Sequence, residues 1–282
     1  MYDLTHARHD PAHCLAPGLF RGLKRGDYKK QKLDVRYEYG KDEWIHFAGF
    51  EPLGAPELRL LQGIVAMAGP SDLLLDLDNP KSDLGKQLSL FLDPRFEAIK
   101  DDARVVKSSL WKLMHEIGYS SDDKKSRASV MDSIRRLSAV SIFIRKGKKE
   151  CGFHLLSYLT DETDGKLLIA LNPRITGAVI GLRPYARIEL SETRALSSDS
   201  ARLIHQRLCG FIDPGKMHKS DIRIETLSEY VWPEEAGASA MRDRMATVRK
   251  AMKEIESLGW TATETVRGKF KIGRPPVAKV SP

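Results

Sequence analysis

Cysteine is scarce in this sequence. Cys14, Cys151 and Cys209 lie far apart among 282 residues, and no C-x-x-C pair occurs. That odd, sparse count argues against a disulfide scaffold and fits a reduced, cytoplasmic protein. Long apolar runs are also missing. None approaches the roughly 18 residues a membrane helix needs, and the N-terminus has no apolar stretch of the kind found in secretory signals. Catalytic signatures are equally thin: there is no G-x-x-x-x-G-K-[ST], no G-x-S-x-G and no H-E-x-x-H. The chain therefore lacks an evident ATPase, hydrolase or zinc-protease motif.

What is present is positive charge in two places. The formal net charge is +8, with 41% apolar and 30% charged residues. Residues 124–149 hold nine Lys or Arg against one acid, Asp132, and residues 239–274 hold nine against four. The rest of the chain is then net negative. Such concentration is the footprint of an anionic partner, most often nucleic acid. For either window alone, a solvated basic face is the competing explanation. Length and composition allow two domains, each able to bury a core.

The hydrophobic pattern places those windows. Residues 1–30 lack a period and read as a mostly irregular basic arm. KLDVRYEY and EWIHFAG alternate as a β-hairpin turning at Gly40, and Leu58, Leu61, Val65 and Ala68 mark a helix stopped by Gly69-Pro70. Residues 71–107 read as short strands and loops. Ser108 is expected to cap the helix SLWKLMHEIG, and the polar turn YSSDDKK leads to a second helix at about 125–139, with Val130, Ile134 and Leu137 inward. VSIFIRK, a G-K-K turn and ECGFHLLSYL form a ribbon; Asp164-Gly165 opens the strand KLLIALN, and Pro173 opens a short helix.

The second half repeats the plan. ARIEL is a strand, and SSDSARLIHQRLCGFID is a helix with Leu203, Leu208 and Phe211 as core. IRI, a short helix TLSEYVW and a long helix at about 238–258 follow. Met241, Met245, Val248, Met252 and Ile255 form one apolar stripe on the long helix. WTATETV, an RGK turn and FKIGRP make the last ribbon. The expected class is α+β: two tandem winged-helix domains with an N-terminal arm and β-hairpin. The divisions are 1–30 for the arm, 31–172 for the first domain with its N-terminal hairpin, and 173–282 for the second.

A helix can enter the DNA major groove while a basic hairpin beside it reaches the flanking backbone. The expected contacts of the first unit are Lys125, Ser126, Ser129, Ser133 and Arg136 on the helix, with Arg145, Lys146, Lys148 and Lys149 on the hairpin. In the second unit they are Ser239, Arg242, Arg244, Arg249 and Lys250, with Arg267, Lys269, Lys271 and Arg274 on the hairpin. Arg242 and Arg244 are placed to read guanine edges, and the hairpin cations to hold phosphate. The first unit looks like the denser phosphate grip. Three other features are set aside. His6, His9, His13 and Cys14 lack standard zinc spacing; Asp72, Asp76, Asp78 and Asp83 read as a solvated acidic loop; Trp232 and Trp260 read as core anchors.

The blocks HARHDPAHCLAPGLFRGLKRG, KLDVRYEYG, LRLLQGIVAMAGP, SARLIHQRLCGFIDPGK, TLSEYVWPEEA and MRDRMATVRKAMKEIESLGWT run from residue 5 to residue 261. In them the chain resembles the RepC-type replication initiators of IncQ-family plasmids. The resemblance implies binding of directly repeated origin sequences (iterons) as double-stranded DNA and opening of an adjacent AT-rich stretch. It further implies loading of a plasmid helicase and primase, and self-association in copy control. A cytoplasmic, plasmid-associated, non-enzymatic protein is expected, with no cofactor, metal or membrane partner. The competing functions are a tandem winged-helix transcriptional regulator and a nucleic-acid-processing enzyme such as a relaxase or nuclease.

Overall fold

The computed structural model describes residues 2–24, 26–71, 73–95, 102–120, 122–161 and 165–277. Asp72 of the acidic loop, Ser121 of the polar turn and Asp164 of the Asp-Gly turn lie outside them. Among the described residues, no helix is long and apolar enough to cross a membrane.

The expected irregular arm is instead part of the core. Strand β1 (His6–His9) runs into helix α1 (Pro11–Leu15), which Asp10 caps by accepting the Ala12 N–H at 2.8 Å; the short helix α2 (Asp27–Lys30) follows. His9, Asp10, His13 and Cys14 are all buried. The reason is tertiary: Arg174, distant in sequence, ion-pairs with Asp10 at 2.8 Å. That partner offsets the cost of burying the Asp10 charge.

Strands β2 (Leu33–Gly40) and β3 (Glu43–Gly49) form the expected hairpin. Helix α3 (Ala55–Ala68) has Pro56 in its first turn, and every residue except Pro56 and Arg59 is buried. A helix buried on nearly every side lies in the middle of the protein. At Gly63 a Cβ would lie 2.1 Å from Ile117, so the absence of a side chain there lets the next layer close on the helix.

Strand β4 (Leu74–Asp76), helix α4 (Asp83–Leu92) and strand β5 (Asp102–Ser109) follow. Helix α4 occupies a stretch expected to hold only strands and loops; Ser82 caps it by accepting the Gly85 N–H at 3.0 Å. Helices α5 (Leu110–Glu116) and α6 (Lys124–Ser138), strands β6 (Ser141–Lys146), β7 (Lys149–His154), β8 (Leu156–Asp161) and β9 (Lys166–Leu171), and helix α7 (Pro173–Val179) complete the first half. The cap of α5 is Ser109 rather than Ser108. Two antiparallel four-stranded sheets result, ordered β2-β3-β6-β7 and β4-β5-β9-β8.

The second half contains strand β10 (Ala186–Glu189), helices α8 (Leu190–Ala195) and α9 (Asp199–Cys209), strand β11 (Ile222–Arg223), and helices α10 (Ile224–Glu229) and α11 (Ala238–Glu256). Strands β12 (Thr261–Val266) and β13 (Lys269–Gly273) form its last hairpin. The sheet order is β11-β13-β12, while β10 pairs antiparallel with β1 from His6 opposite Glu189 to His9 opposite Ala186. Leu203 and Leu208 are buried as expected, but Phe211 is 37% exposed because α9 has already ended.

The expected boundary between residues 172 and 173 is crossed by packing. Helix α3 touches α6 on one side and α9 on another, and the Gln62 and Gln206 side chains hydrogen-bond between α3 and α9. One apolar core extends from Ala7 to Ile272. A smaller cluster, including Leu75, Leu88, Leu92 and Val105, lies under α4.

The buried N-terminal histidine carries a pH prediction. Neither ring nitrogen of His9 meets a hydrogen-bond partner among the described residues. Burial, with the neighbouring His13 adding to it and Asp10 opposing, lowers its pKa to about 3. The folded value lies below the unfolded value of 6.5. The stability held in the neutral ring is therefore complete above pH 6.5 and is lost as pH falls toward 3. The loss is about 1.4 kcal/mol per pH unit within that window. Urea midpoints at pH 6.5 and 5 should separate for the wild type and draw together for His9→Gln. Equal separations would refute the assignment.

Candidate nucleic-acid interface

Helix α11 presents two faces. Val248, Met252 and Ile255 are buried, Met241 and Met245 partly so, while Ser239, Arg242 and Lys250 are exposed. The apolar stripe thus turns Arg242 and Lys250 outward, as a 3.6-residue period requires. Two other expected contacts of this helix are engaged within the protein. Arg244 donates to the Glu234 carbonyl at 2.6 Å and lies over the Trp232 ring at 5.5 Å. Arg249 makes two hydrogen bonds to the Glu264 carboxylate, both 3.1 Å.

Glu264 also accepts the Gly268 N–H at 2.6 Å, in the turn of the last hairpin. Gly268 has φ 81, a left-handed conformation that suits a residue without Cβ. One carboxylate therefore ties the helix to the hairpin tip, and the Arg249 hydrogen bond holds it below the usual carboxylate range. Around that tip Arg267, Lys269 and Lys271 are exposed. Arg274 corrects the expectation for this hairpin. It is only 5% exposed, donates to the carbonyls of Ile212 and Arg187, and stacks over Trp260. It serves the core and is not available to a phosphate.

In the first unit α6 exposes Lys125 and Ser129, and Ser126 is partly exposed. Lys124, which the sequence reading passed over, is exposed beside them. Two expectations fail for one reason, the buried carboxylate of Glu57. Ser133 is 2% exposed and donates to Glu57 at 2.7 Å. Arg136 donates to the same oxygen at 2.9 Å and lies 4.4 Å over the Tyr28 ring. The other Glu57 oxygen accepts from Tyr28 and from the Gly54 N–H that opens α3. The G-x-x-E spacing at the start of α3 was a sequence signal for a capping glutamate, but not for partners on α6.

The hairpin of the first unit exposes Arg145, Lys146, Lys148 and Lys149. It is not a purely basic tip, because β3 pairs beside it. Glu43 ion-pairs with Lys146 at 3.3 Å, and the Asp42 carbonyl accepts the Gly147 N–H at 3.0 Å. A groove of about 510 Å³ lies there, lined by Arg36, Glu38, Asp42, Glu43, Arg145 and Lys148 among others. The expected denser phosphate grip is therefore diluted by acids more than 100 residues earlier in the chain. In the acidic loop, Asp76 accepts the N–H groups of Asp78 and Asn79 in its own turn.

Both basic windows thus form exposed helix-and-hairpin surfaces, organised from beneath by Glu57 in one unit and Glu264 in the other. A search of curated proteins finds no match. The family model of replication protein C (RepC) matches residues 1–276, nearly the whole length, and the chain belongs to that family of plasmid replication proteins.

Proposed function

We propose that this chain is the origin-binding initiator of an IncQ-type plasmid and grips directly repeated double-stranded DNA through two winged-helix units. The observation that carries the reading is the second unit. Its order α9, β11, α10, α11 and the β12–β13 hairpin, with the sheet arranged β11-β13-β12, matches a helix-turn-helix backed by a wing. Helix α11 is then the recognition helix. Arg242 reads a base edge, and Arg267, Lys269 and Lys271 hold phosphates. The first unit follows a similar order, α3, β5, α5, α6 and the β6–β7 hairpin, but its hairpin pairs with β3 instead of β5.

Binding side by side on repeats bends or untwists DNA and favours melting of a weak neighbouring tract. In this reading the chain acts by binding, while a helicase hydrolyses ATP and a primase follows. Self-association of bound copies limits copy number. Footprinting on the parent replicon tests the core of the proposal. Protection of several direct repeats beside an AT-rich tract is expected. Protection of a single promoter palindrome would favour a regulator, and magnesium-dependent nicking by pure protein would favour an enzyme.

Residue roles are tested separately. Arg242→Ala should relax preference at one base position and cost about 1–3 kcal/mol of specific binding. Lys271→Ala should weaken all sequences alike and reduce the salt slope by about 1. The opposite pattern would exchange the roles of helix and hairpin.

A further inference from the structure

Where α8 and α9 meet Trp260, three chemically different ligand atoms converge. The His205 Nε2 lies 2.8 Å from the Glu192 Oε2 and 3.5 Å from the Cys209 Sγ. All three atoms lie within 4.8 Å of one another, and His205 and Cys209 are buried. We propose that Glu192, His205 and Cys209 form a divalent-metal site of the zinc class.

The backbone sets up the convergence. His205 and Cys209 are four apart on α9 and share a face of that helix. Glu192 comes from α8. A hydrogen-bonded cluster accounts for the arrangement poorly, because one imidazole nitrogen faces both the carboxylate and the sulfur. A single Nε2–H has one good acceptor, so the second partner is left over. A metal ion between the atoms uses all three. With zinc bonds of about 2.0–2.1 Å to nitrogen, 2.3 Å to sulfur and 2.0–2.2 Å to oxygen, tetrahedral ligand atoms stand roughly 3.3–3.7 Å apart. The nitrogen–sulfur separation already fits, and the nitrogen–oxygen one needs to open by about half an ångström.

The surroundings are arranged as metal ligands require. The other oxygen of Glu192, Oε1, accepts the Trp260 indole N–H at 3.0 Å, which fixes the carboxylate with Oε2 turned inward. The Trp260 ring packs edge-on against His205, centroids 5.4 Å apart, and limits its rotation. Such outer contacts orient ligands and raise affinity. Mixed imidazole, thiolate and carboxylate donors suit zinc better than calcium or magnesium. Thiolate and carboxylate together balance the charge of a divalent ion.

The full-length chain tests this without DNA. Protein purified without chelator should carry about one zinc per chain by elemental analysis. Cobalt replacing that zinc should show sulfur-to-metal charge-transfer absorption. Trp260→Phe should weaken cobalt binding by about 10–100-fold, and Cys209→Ser should abolish the charge-transfer band. Metal content near zero together with no cobalt charge transfer in the wild type would overturn the proposal. So would a charge-transfer band that persists in Cys209→Ser. The wild-type spectrum decides the matter even if a variant fails to fold.

Discussion

Glu57→Ala is expected to cost about 3–5 kcal/mol of folding stability, because it leaves the largely buried Arg136 guanidinium without its internal partner. The carboxylate is 0% exposed and takes hydrogen bonds from Tyr28, Gly54, Ser133 and Arg136. Its loss therefore loosens the start of α3, the short helix α2 and the middle of α6 together. Glu51 is the control. It stands 3.6 Å from the same Arg136 but is 41% exposed, and Glu51→Gln should change stability by no more than about 0.5 kcal/mol. Urea denaturation of both variants at neutral pH separates the cases. If Glu57→Ala loses less than about 1 kcal/mol, the internal carboxylate does not organise the first unit.

Specific DNA affinity should fall by roughly 10³–10⁵ between 50 and 200 mM salt if the two units neutralise about 6–10 phosphates. Burial decides which cations that proposal can use. Lys125, Arg145, Lys148, Arg242, Lys250, Arg267, Lys269 and Lys271 are exposed, whereas Arg136 and Arg274 are turned into the protein and Arg249 is held by Glu264. Titration of labelled duplex at several salt concentrations gives the slope directly. A nearly flat dependence would remove the phosphate grip from the proposal. The slope should also fall more on neutralising the second hairpin than the first, whose Lys146 is already paired with Glu43.

The sequence made some of this legible. The stripe of α11 stood out because Val248, Met252 and Ile255 repeat at helical spacing and are all buried. The N-terminal segment did not, because its buried polar groups include His9, Asp10 and His13, and the partner that holds Asp10, Arg174, sits far along the chain. Helix α4 was hidden by apolar residues on both faces: Leu88 and Leu92 point inward, but Leu84, Leu90 and Phe91 are exposed. A two-faced pattern has no clean period. Ser133, Arg136 and Arg274 were chosen by residue type and neighbourhood. Their inward orientation depends on Glu57, Ile212 and Arg187, contacts between 62 and 87 residues distant in sequence. Local spacing identified the helices and hairpins, but long-range polar partners decided which cations remain exposed.

The pairing of β1 with β10 also sets a timetable during synthesis. His6 cannot meet Glu189 until the ribosome has made and released that distant strand. At 5–20 residues per second the wait is on the order of 10–40 s. Once Ala68 has been added, α3 exists but lacks α9, one of the elements that cover it. A nascent chain in that interval shows an apolar helix and an unpaired strand edge, the features that chaperones bind and that make crowded chains stick. Slow translation before residue 189 would prolong that exposure, and early termination there would make it permanent.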